Sequence, residues 1–412
     1  MSYAGVHQAY QLALAAQEMG ELRAFYCALY DAPGKWGGWL ARLVGHDALA
    51  NRRLNGLPPD RVIELPRAAL WKAAKDRVYP RDRDDWFPSF AAFDRRVALA
   101  LDKAVPALFV GAAASDLHSL ETVKRGGGAT VHDCPGLHPQ FLKRVLREAA
   151  ERAGIKVGPA DPGWSRWDGR KLAEYALADT LLVYSELHRK TFTDAGFARD
   201  KVFVAPLWVD TDFWRREATT RSPHAAGKGP LKLLFVGPVN LHKGIPFLLG
   251  ALARCGNAVT LTVVGTRNAS SDRLLGPHRS NVEVLPPQVK SRLRAIYAAH
   301  DVLVLPSVGE SFGFVAMEAM ACGLPVILTE NCGAPVPEPD WRVPAMDSAR
   351  LAERIMRYAD DRDLVLSHGD MARAFAQGFS PEQYRQRMKG LFRSILAQSG
   401  CEADSAADSA LR

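Results

Sequence analysis

Two glutamates, Glu310 and Glu318, stand eight positions apart in the stretch of this chain whose residue types best suit chemistry. An apolar run at 301–305 precedes them, the range Gly309–Gly313 brackets the first of them, and a helix is predicted to begin near Phe314. A strand, a glycine turn and a helix in this order place main-chain amides and a carboxylate at the carboxyl edge of a parallel sheet. That is the edge where α/β proteins bind phosphorylated ligands.

These groups suit the binding of a diphosphate that is joined to a sugar. The first amides of a helix have no intrahelical acceptor, and a diphosphate satisfies both these donors and the positive end of the helix dipole. Glu318 lies one helical turn beyond Phe314 and so faces the same pocket as Glu310. A carboxylate beside a phosphate needs another partner, and it can accept two sugar hydroxyls. In the alternative interpretation, both glutamates are solvated surface residues.

The Gly-Glu-Ser-Phe-Gly turn at 309–313, followed by Ala-Cys-Gly-Leu-Pro-Val-Ile at 321–327, resembles a known signature. It is similar to the glutamate, seven residues, glutamate pattern of the retaining GT-B glycosyltransferases, the "group 1" class that uses nucleotide sugars. The resemblance implies an α/β fold of two Rossmann-like doubly wound domains that face a cleft, with a C-terminal helix crossing back to the first domain. It also implies transfer of a sugar, with retention, from a nucleoside diphosphate sugar to an acceptor hydroxyl in bacterial polysaccharide or glycolipid assembly. No metal or other cofactor is predicted.

The resemblance also assigns roles to single residues. Glu310 would hold the donor hexose and Glu318 the ribose, while the leaving diphosphate would be stabilised by Lys243 and by the amides of four residues, Ser311, Phe312, Gly313 and Phe314. No covalent nucleophile is implied, so stabilising the developing diphosphate charge is the main catalytic contribution.

A second motif follows the predicted strand Leu233–Gly237 and reads Pro-Val-Asn-Leu-His-Lys-Gly. The family commonly places an arginine and a lysine here to hold the diphosphate, and Lys243 matches the lysine, whereas Pro238 stands where the arginine is usual. We expect Arg267, two residues past the predicted strand 260–265, to supply the missing cation; a solvated loop arginine is the alternative. Gly237 and Val289 complete the predicted donor site, the latter because 282–307 resembles the base-binding strand and its helix.

Chain length and composition indicate two domains of an ordinary globular protein. The 412 residues are 48% hydrophobic and 24% charged, and no window approaches a membrane-spanning run. Six scattered cysteines suit a reducing compartment, so a cytoplasmic protein is expected. The net charge of +8 admits an anionic partner such as a membrane surface, but no nucleic-acid motif is present, so nucleic acid is not an expected partner.

The predicted domain plan assigns each part of the chain a role. It comprises an acceptor-binding domain at 1–216, a linker at 217–230, a nucleotide-sugar domain at 231–379, a crossing helix at 380–398 and a disordered tail at 399–412. The first domain should hold a helix at 6–19 and short strands at 23–29, 61–65, 107–111, 129–132, 180–184 and 201–205. Only 1–4 precede Gly5, too few for an ordinary first strand, so we expect either a longer reading frame or a sheet that lacks a member.

The run His132-Asp133-Cys134-Pro135-Gly136-Leu137-His138 follows the predicted strand 129–132 and holds four potential metal ligands. Metal binding is not favoured, because zinc sites normally use tighter paired spacing. Its place at the carboxyl end of a strand favours use in the active site, and related transferases carry a histidine in this loop, so His138 and then Asp133 are predicted catalytic residues. In the alternative, His138 caps the next helix. Likewise, Asp210-Thr211-Asp212 resembles a metal motif of another glycosyltransferase fold but stands in the wrong place for it.

Aromatic and basic residues alternate between 67 and 93 and leave two interpretations open. They suit a lipid-linked acceptor or peripheral contact with a membrane, or else core packing beside a solvated face. Two rival functions also remain: a sugar-nucleotide 2-epimerase of the same fold, and a catalytically degenerate scaffold protein.

Overall fold

The computed structural model describes residues 1–5, 9–44, 52–67, 70–71, 87–156, 167–215, 229–275 and 280–410. Within these ranges the chain forms two α/β domains whose strands are all parallel within their sheets, as predicted. The predicted linker lies outside the described residues except for its last two positions. None of the described helices combines the length and the apolar character that crossing a membrane requires.

The first domain contains two neighbouring groups of parallel strands. The groups have the orders β1-β2-β3 and β4-β5-β6-β7, and β1 also contacts β4, which brings them together. The strands are β1 Ser2–Tyr3, β2 Phe25–Cys27, β3 Val62–Glu64, β4 Leu108–Ala112, β5 Ala129–Asp133, β6 Thr180–Val183 and β7 Val202–Val204. The sheet therefore keeps its first strand, although only two residues form it.

Seven described helices surround these strands. They are α1 Ala9–Glu18, α2 Trp36–Val44, α3 Phe87–Leu101, α4 Leu117–Arg125, α5 Pro139–Arg152, α6 Asp168–Leu177 and α7 Glu186–Thr193. Alternation of strands with helices is what forces the parallel arrangement, because each helix returns the chain to the same end of the sheet.

The second domain is a six-stranded parallel sheet of order β10-β9-β8-β11-β12-β13. Its strands are β8 Leu231–Val236, β9 Val259–Val264, β10 Val282–Leu285, β11 Val302–Leu305, β12 Val326–Thr329 and β13 Arg342–Val343. Its helices are α8 Ile245–Cys255, α9 Ala269–Leu275, α10 Lys290–Ala298, α11 Phe314–Ala321, α12 Ser348–Asp360 and α13 Arg362–Ala376. The central strands are apolar on both faces because helices cover both sides of the sheet.

The last helix, α14 Pro381–Ala410, crosses back to the first domain and packs against α1, β4 and β5. Arg385 donates to the Gln11 side chain over 2.8 Å, and Lys389 donates to Glu18 over 2.6 Å. The helix continues to Ala410, through residues for which the sequence predicted disorder.

Candidate functional site

The candidate site lies where the strand order of the second domain reverses, between β8 and β11. The chain leaves β8 toward β9 on one side and later returns to β11 on the other, so the connections after these two strands diverge. This divergence opens a crevice at the carboxyl ends of the strands, which is the general ligand site of such sheets.

Glycines let two helices begin at this crevice. Gly244, which precedes α8, has φ 73°, and a β-carbon there would lie 1.9 Å from the Pro306 carbonyl oxygen. Gly313, which precedes α11, has φ 81°. Both conformations are left-handed and neither helix has a side-chain cap. The positive ends of both helix dipoles meet at the crevice, although the α8 amides of Ile245 and Phe247 already donate to the carbonyls of Asn240 and Gly244 and Pro246 has no amide hydrogen.

Lys243 and Glu310, predicted to hold the diphosphate and the hexose, form an ion pair between Nζ and Oε2. The Lys243 amide donates to the Asn240 side chain over 2.9 Å, which fixes the turn that carries the lysine. Two residues from opposite sides of the crevice therefore meet at its centre.

His242 joins the two turns that carry this pair. Its Nε2 donates to the Gly309 carbonyl over 2.5 Å, and its own carbonyl accepts from the Val308 amide over 2.9 Å. Burial and the charge of Lys243 lower the pKa of His242, so the imidazole donates as the neutral tautomer at pH 7. His242 thus fixes the spacing of Lys243 and Glu310.

The backbone of Glu310 is held from the other side by the loop after β12. Its amide donates to the Asn331 carbonyl and its carbonyl accepts from the Gly333 amide, each over 2.8 Å. The guanidinium of Arg342 in turn binds carbonyl groups of that loop, including those of Cys332 and Ala334 at 2.5 Å. Glu310 therefore lies on a rigid turn.

Glu318, the predicted ribose acceptor, lies on α11 and accepts a hydrogen bond of 3.0 Å from the Tyr297 hydroxyl. Burial raises the pKa of Glu318 to about 7, although the hydrogen bond from Tyr297 and the charge of Lys290 favour the carboxylate. A group that titrates near neutrality and is held by a fully buried tyrosine is suited to a specific acceptor role. Sequence reasoning did not identify Tyr297.

Ser311, the first residue of the predicted amide site, lies at the contact between the domains. The Ser311 hydroxyl donates to the Pro135 carbonyl over 2.8 Å, and its carbonyl accepts from the Ser185 hydroxyl over 3.0 Å. Phe312 is buried and meets the ring of Phe314 edge-on, with ring centroids 5.3 Å apart. The turn that carries Glu310 is thus bonded to the first domain.

Asp133 lies at the end of β5, buried, and accepts a hydrogen bond of 2.7 Å from the Tyr184 hydroxyl. Burial raises its pKa to about 6, against the effects of Tyr184 and His132. Its Oδ2 atom has no hydrogen-bond partner among the described residues. Asp133 therefore remains a candidate for chemistry in the first domain.

His138 has the helix-capping position that the sequence left as the alternative. Its Nδ1 accepts from the Gln140 amide over 3.3 Å at the start of α5, and its ring packs among the side chains of Tyr175, Phe192 and Phe197. The imidazole is buried in the first domain, and burial lowers its pKa. This placement argues against His138 as a catalytic residue.

Arg267 forms an ion pair within its own loop. Its Nε and Nη2 both donate to Asp272, over 3.0 and 2.5 Å, in the segment after β9. This exposed pairing fits the alternative of a solvated loop arginine, and the role of Arg267 at the donor stays a prediction. Gly237 directly follows β8 and has φ 149°, and Val289 is exposed just before α10.

A buried cluster in the first domain was not predicted. His132 Nδ1 lies 2.8 Å from Asp116 Oδ2, and Glu174 approaches both, so that their potential ligand atoms lie within 4.8 Å of one another. Arg170 pairs with Glu174 over 3.2 Å and with Asp94 over 2.6 Å. The side chains come from strands and helices far apart in sequence, and their spacing gave no sign of the cluster.

Asp210 was predicted not to bind metal, and its carboxylate accepts from the Phe213 amide over 3.0 Å. That hydrogen bond closes a local turn.

Comparison with known proteins bears on both domains. Residues 230–361 match the family described as "Glycosyl transferases group 1", which confirms the resemblance stated above for this part of the chain. A D-inositol 3-phosphate glycosyltransferase of Nocardia farcinica is 29% identical over 270 residues, and that of Xylanimonas cellulosilytica is 36% identical over 216 residues. These alignments cover 60% and 47% of this chain; the chain spans 59% and 50% of the two relatives' lengths.

Solved structures share the fold over almost the whole chain. Sucrose-phosphate synthase from Thermosynechococcus elongatus superimposes with a TM-score of 0.63 at 21% identity, covering 95% of this chain and 93% of that one. Anabaena HepE in complex with UDP gives 0.61 at 17% identity, covering 95% and 98%. The two-domain GT-B fold is therefore confirmed.

Proposed function

We propose that this chain, whose residues 230–361 belong to the group 1 glycosyltransferases, transfers a sugar from a nucleoside diphosphate sugar to an acceptor hydroxyl with retention. The ion pair of Lys243 with Glu310 carries the proposal, because it places a cation and a hydroxyl acceptor together at the point where the strand order reverses. Two helix N-termini meet at the same point, and the positive ends of their dipoles favour a diphosphate there.

When the donor binds, Lys243 and Glu310 would separate, and each would bind a different part of the donor. The ammonium of Lys243 would turn to the diphosphate, and the freed carboxylate of Glu310 would accept hydroxyls of the hexose. Because His242 fixes the spacing of the two turns, this exchange needs only side-chain rotation. Preorganised donors of this kind stabilise the negative charge that develops on the leaving diphosphate.

Glu318 would accept the two ribose hydroxyls of the donor nucleoside. Tyr297 supports this role because its hydrogen bond favours the carboxylate and fixes its orientation. The UDP bound to HepE makes UDP-sugars the first donors to test.

The acceptor would lie against the first domain. The D-inositol 3-phosphate glycosyltransferases and the sucrose-phosphate synthase are each named for a phosphorylated polyol or sugar. Phosphorylated polyols and sugars are therefore acceptor classes to test, together with saccharides and lipid-linked saccharides. A role in polysaccharide or glycolipid assembly is part of the same proposal.

The deciding experiment incubates the pure protein with UDP-, ADP- and GDP-sugars, with and without these acceptors, and measures released nucleoside diphosphate. Transfer to an acceptor that keeps the anomeric configuration, seen by NMR, would support the proposal, and Glu310→Gln should abolish it. Release of a free 2-epimeric sugar without any acceptor would indicate an epimerase. Binding of a nucleotide sugar without turnover would favour a degenerate scaffold. The proline at 238 and the pairing of Arg267 with Asp272 are consistent with that interpretation.

A further inference from the structure

Helix α2 turns its large apolar side chains toward solvent. Trp36, Trp39 and Leu43 are 59%, 56% and 64% exposed and form one stripe along the helix. A surface helix normally buries its apolar stripe against the core. Here that orientation is reversed.

The buried side of the helix explains why it cannot rotate. Gly37 and Gly38 lie so close to the chain that β-carbons there would be 2.4 Å from the Tyr30 carbonyl oxygen and 2.0 Å from that of Ala32. Ala41 is fully buried on the same side. Only small residues fit against this backbone, so the tryptophans must face outward.

The start of the helix is fixed by a single carboxylate. Glu64 accepts from the amides of Trp36 and Gly37 over 2.6 and 2.9 Å, and from that of Tyr30 over 2.7 Å. A negative charge at a helix N-terminus is stabilising. The outward stripe is therefore a rigid part of the domain.

The stripe continues into a groove of about 1130 Å³ beside it, to which Trp36 itself contributes. Three exposed apolar side chains line the groove: Leu70, Trp71 and Leu99. Together with Trp36, Trp39 and Leu43 they form the tryptophan face. Trp71 belongs to the aromatic and basic stretch recognised in the sequence, whereas Phe93 is buried and Tyr79 and Trp86 lie outside the described residues.

The charges around this face favour an anionic partner. Arg67, Arg96 and Lys103 line the groove, and exposed Arg42 lies on α2 itself. Among the described residues that line the groove, Glu64 is the sole acidic one, and its two oxygens are bound by the amides of α2 and of Tyr30. The whole chain carries a net charge of +8.

We propose that the tryptophan face docks this protein peripherally on an anionic lipid bilayer. Indole rings favour the boundary between headgroups and acyl chains, where one side of the ring is apolar and the other is wet. Basic residues at the margin then meet anionic headgroups.

Flotation with vesicles tests this proposal without any assay of transfer. Vesicles of phosphatidylcholine and phosphatidylglycerol in equal parts should bind the full-length protein, vesicles of phosphatidylcholine alone should bind it poorly, and added salt should weaken binding. The double variant Trp36→Ala/Trp39→Ala should lower partitioning by about tenfold or more, because two exposed indoles lose their apolar contact. Met371→Ala, which truncates an exposed apolar residue of α13, is the matched control and should bind as the wild type does.

A second pair of variants separates local from total charge. Arg42→Glu/Arg96→Glu should reduce binding strongly, while Arg254→Glu/Arg393→Glu, with the same change in net charge on exposed sites outside this face, should retain most of it. Thermal unfolding confirms that each variant is folded. The proposal would be overturned if the folded double tryptophan variant bound vesicles as the wild type does. It would also be overturned if both double charge variants lost vesicle binding equally. So would a vesicle-free dimer that the tryptophan substitutions dissociate, since the face would then be a contact between two copies.

Discussion

Replacing Tyr297 by phenylalanine tests the assignment of Glu318 most directly. The substitution keeps the buried ring and removes the hydroxyl that donates to the carboxylate over 3.0 Å. A hydrogen bond to a charged group is worth about 1.5 to 3 kcal/mol, and one pKa unit corresponds to about 1.4 kcal/mol, so the pKa should rise by about one to two units. From the wild-type value of about 7, the variant should therefore titrate near 8 to 9.

This shift should appear in nucleotide binding. The ribose hydroxyls donate to the carboxylate form, so affinity should strengthen as pH rises through the pKa of Glu318. Calorimetric titration with UDP, ADP and GDP between pH 6 and about 9.5 would give the midpoint for the tightest ligand, near 7 in the wild type and higher in Tyr297→Phe.

Two controls isolate the effect. In Glu318→Gln, nucleotide affinity should no longer rise with pH near 7. Any pH dependence of affinity that remains belongs to the phosphate of the ligand. Tyr358→Phe removes another buried hydroxyl of the second domain, one that contacts His368, and should leave the midpoint in place. Equal midpoints in wild type and Tyr297→Phe would refute the assigned role of Tyr297, and a step that persists in Glu318→Gln would refute that of Glu318.

Four further outcomes are expected. Lys243→Ala should weaken nucleoside diphosphate binding in calorimetry by about 1.5 to 3 kcal/mol, because a charge-assisted contact is lost, and an unchanged Kd would leave the helix amides as the only diphosphate ligands. Arg267→Ala should change Kd by no more than about twofold, since its guanidinium is bonded to Asp272; a much larger loss would restore it as the missing cation. Sugar transfer should persist after exhaustive chelation with EDTA, and recovery only with added manganese or magnesium would contradict this. Asp133 has a pKa raised from 3.8 to about 6, so the folded state loses stability as pH rises between these values. Asp133→Asn lacks this loss, so urea unfolding should show the variant gaining about 2.4 kcal/mol in free energy of unfolding relative to the wild type between pH 4 and pH 8. A difference that does not vary with pH would show that the carboxyl is not perturbed.

The strands could be predicted closely where both faces of a sheet are covered. In the second domain, β11 and β12 are buried along their whole length, so their apolar runs mark their ends. The short strands of the first domain were placed less sharply: 23–29 was predicted, and Phe25–Cys27 forms β2.

Within the site, the meeting of Lys243 and Glu310 could be expected because the resemblance assigned both to one donor. Their direct pairing follows from the adjacency of β8 and β11, which a linear sequence does not display. The role of Tyr297 could not be predicted, because a tyrosine in an amphipathic helix gives no sign of which acceptor its hydroxyl will meet.

The direction of a side chain was the hardest property to predict. His138 stands before Pro139, where a cap is useful, and also after a strand, where a catalytic residue is common. Aromatic neighbours from two distant helices, Tyr175 and Phe192, enclose its ring. The outcome therefore depends on packing between elements, which the local sequence does not contain.

The bonding of Ser311 to the first domain has a kinetic consequence. If product leaves through an opened cleft, the domains must separate, and this breaks the hydrogen bonds from Ser311 to Pro135 and from Ser185 to Ser311. Two such bonds contribute about 1 to 3 kcal/mol, which lowers the population of the open state by about five- to 150-fold. Because both bonds lie one residue from Glu310, the turn proposed to hold the sugar would also set how long the product stays bound. Substitutions at Ser185, remote from the reacting atoms, would then alter turnover through the residence time of the product.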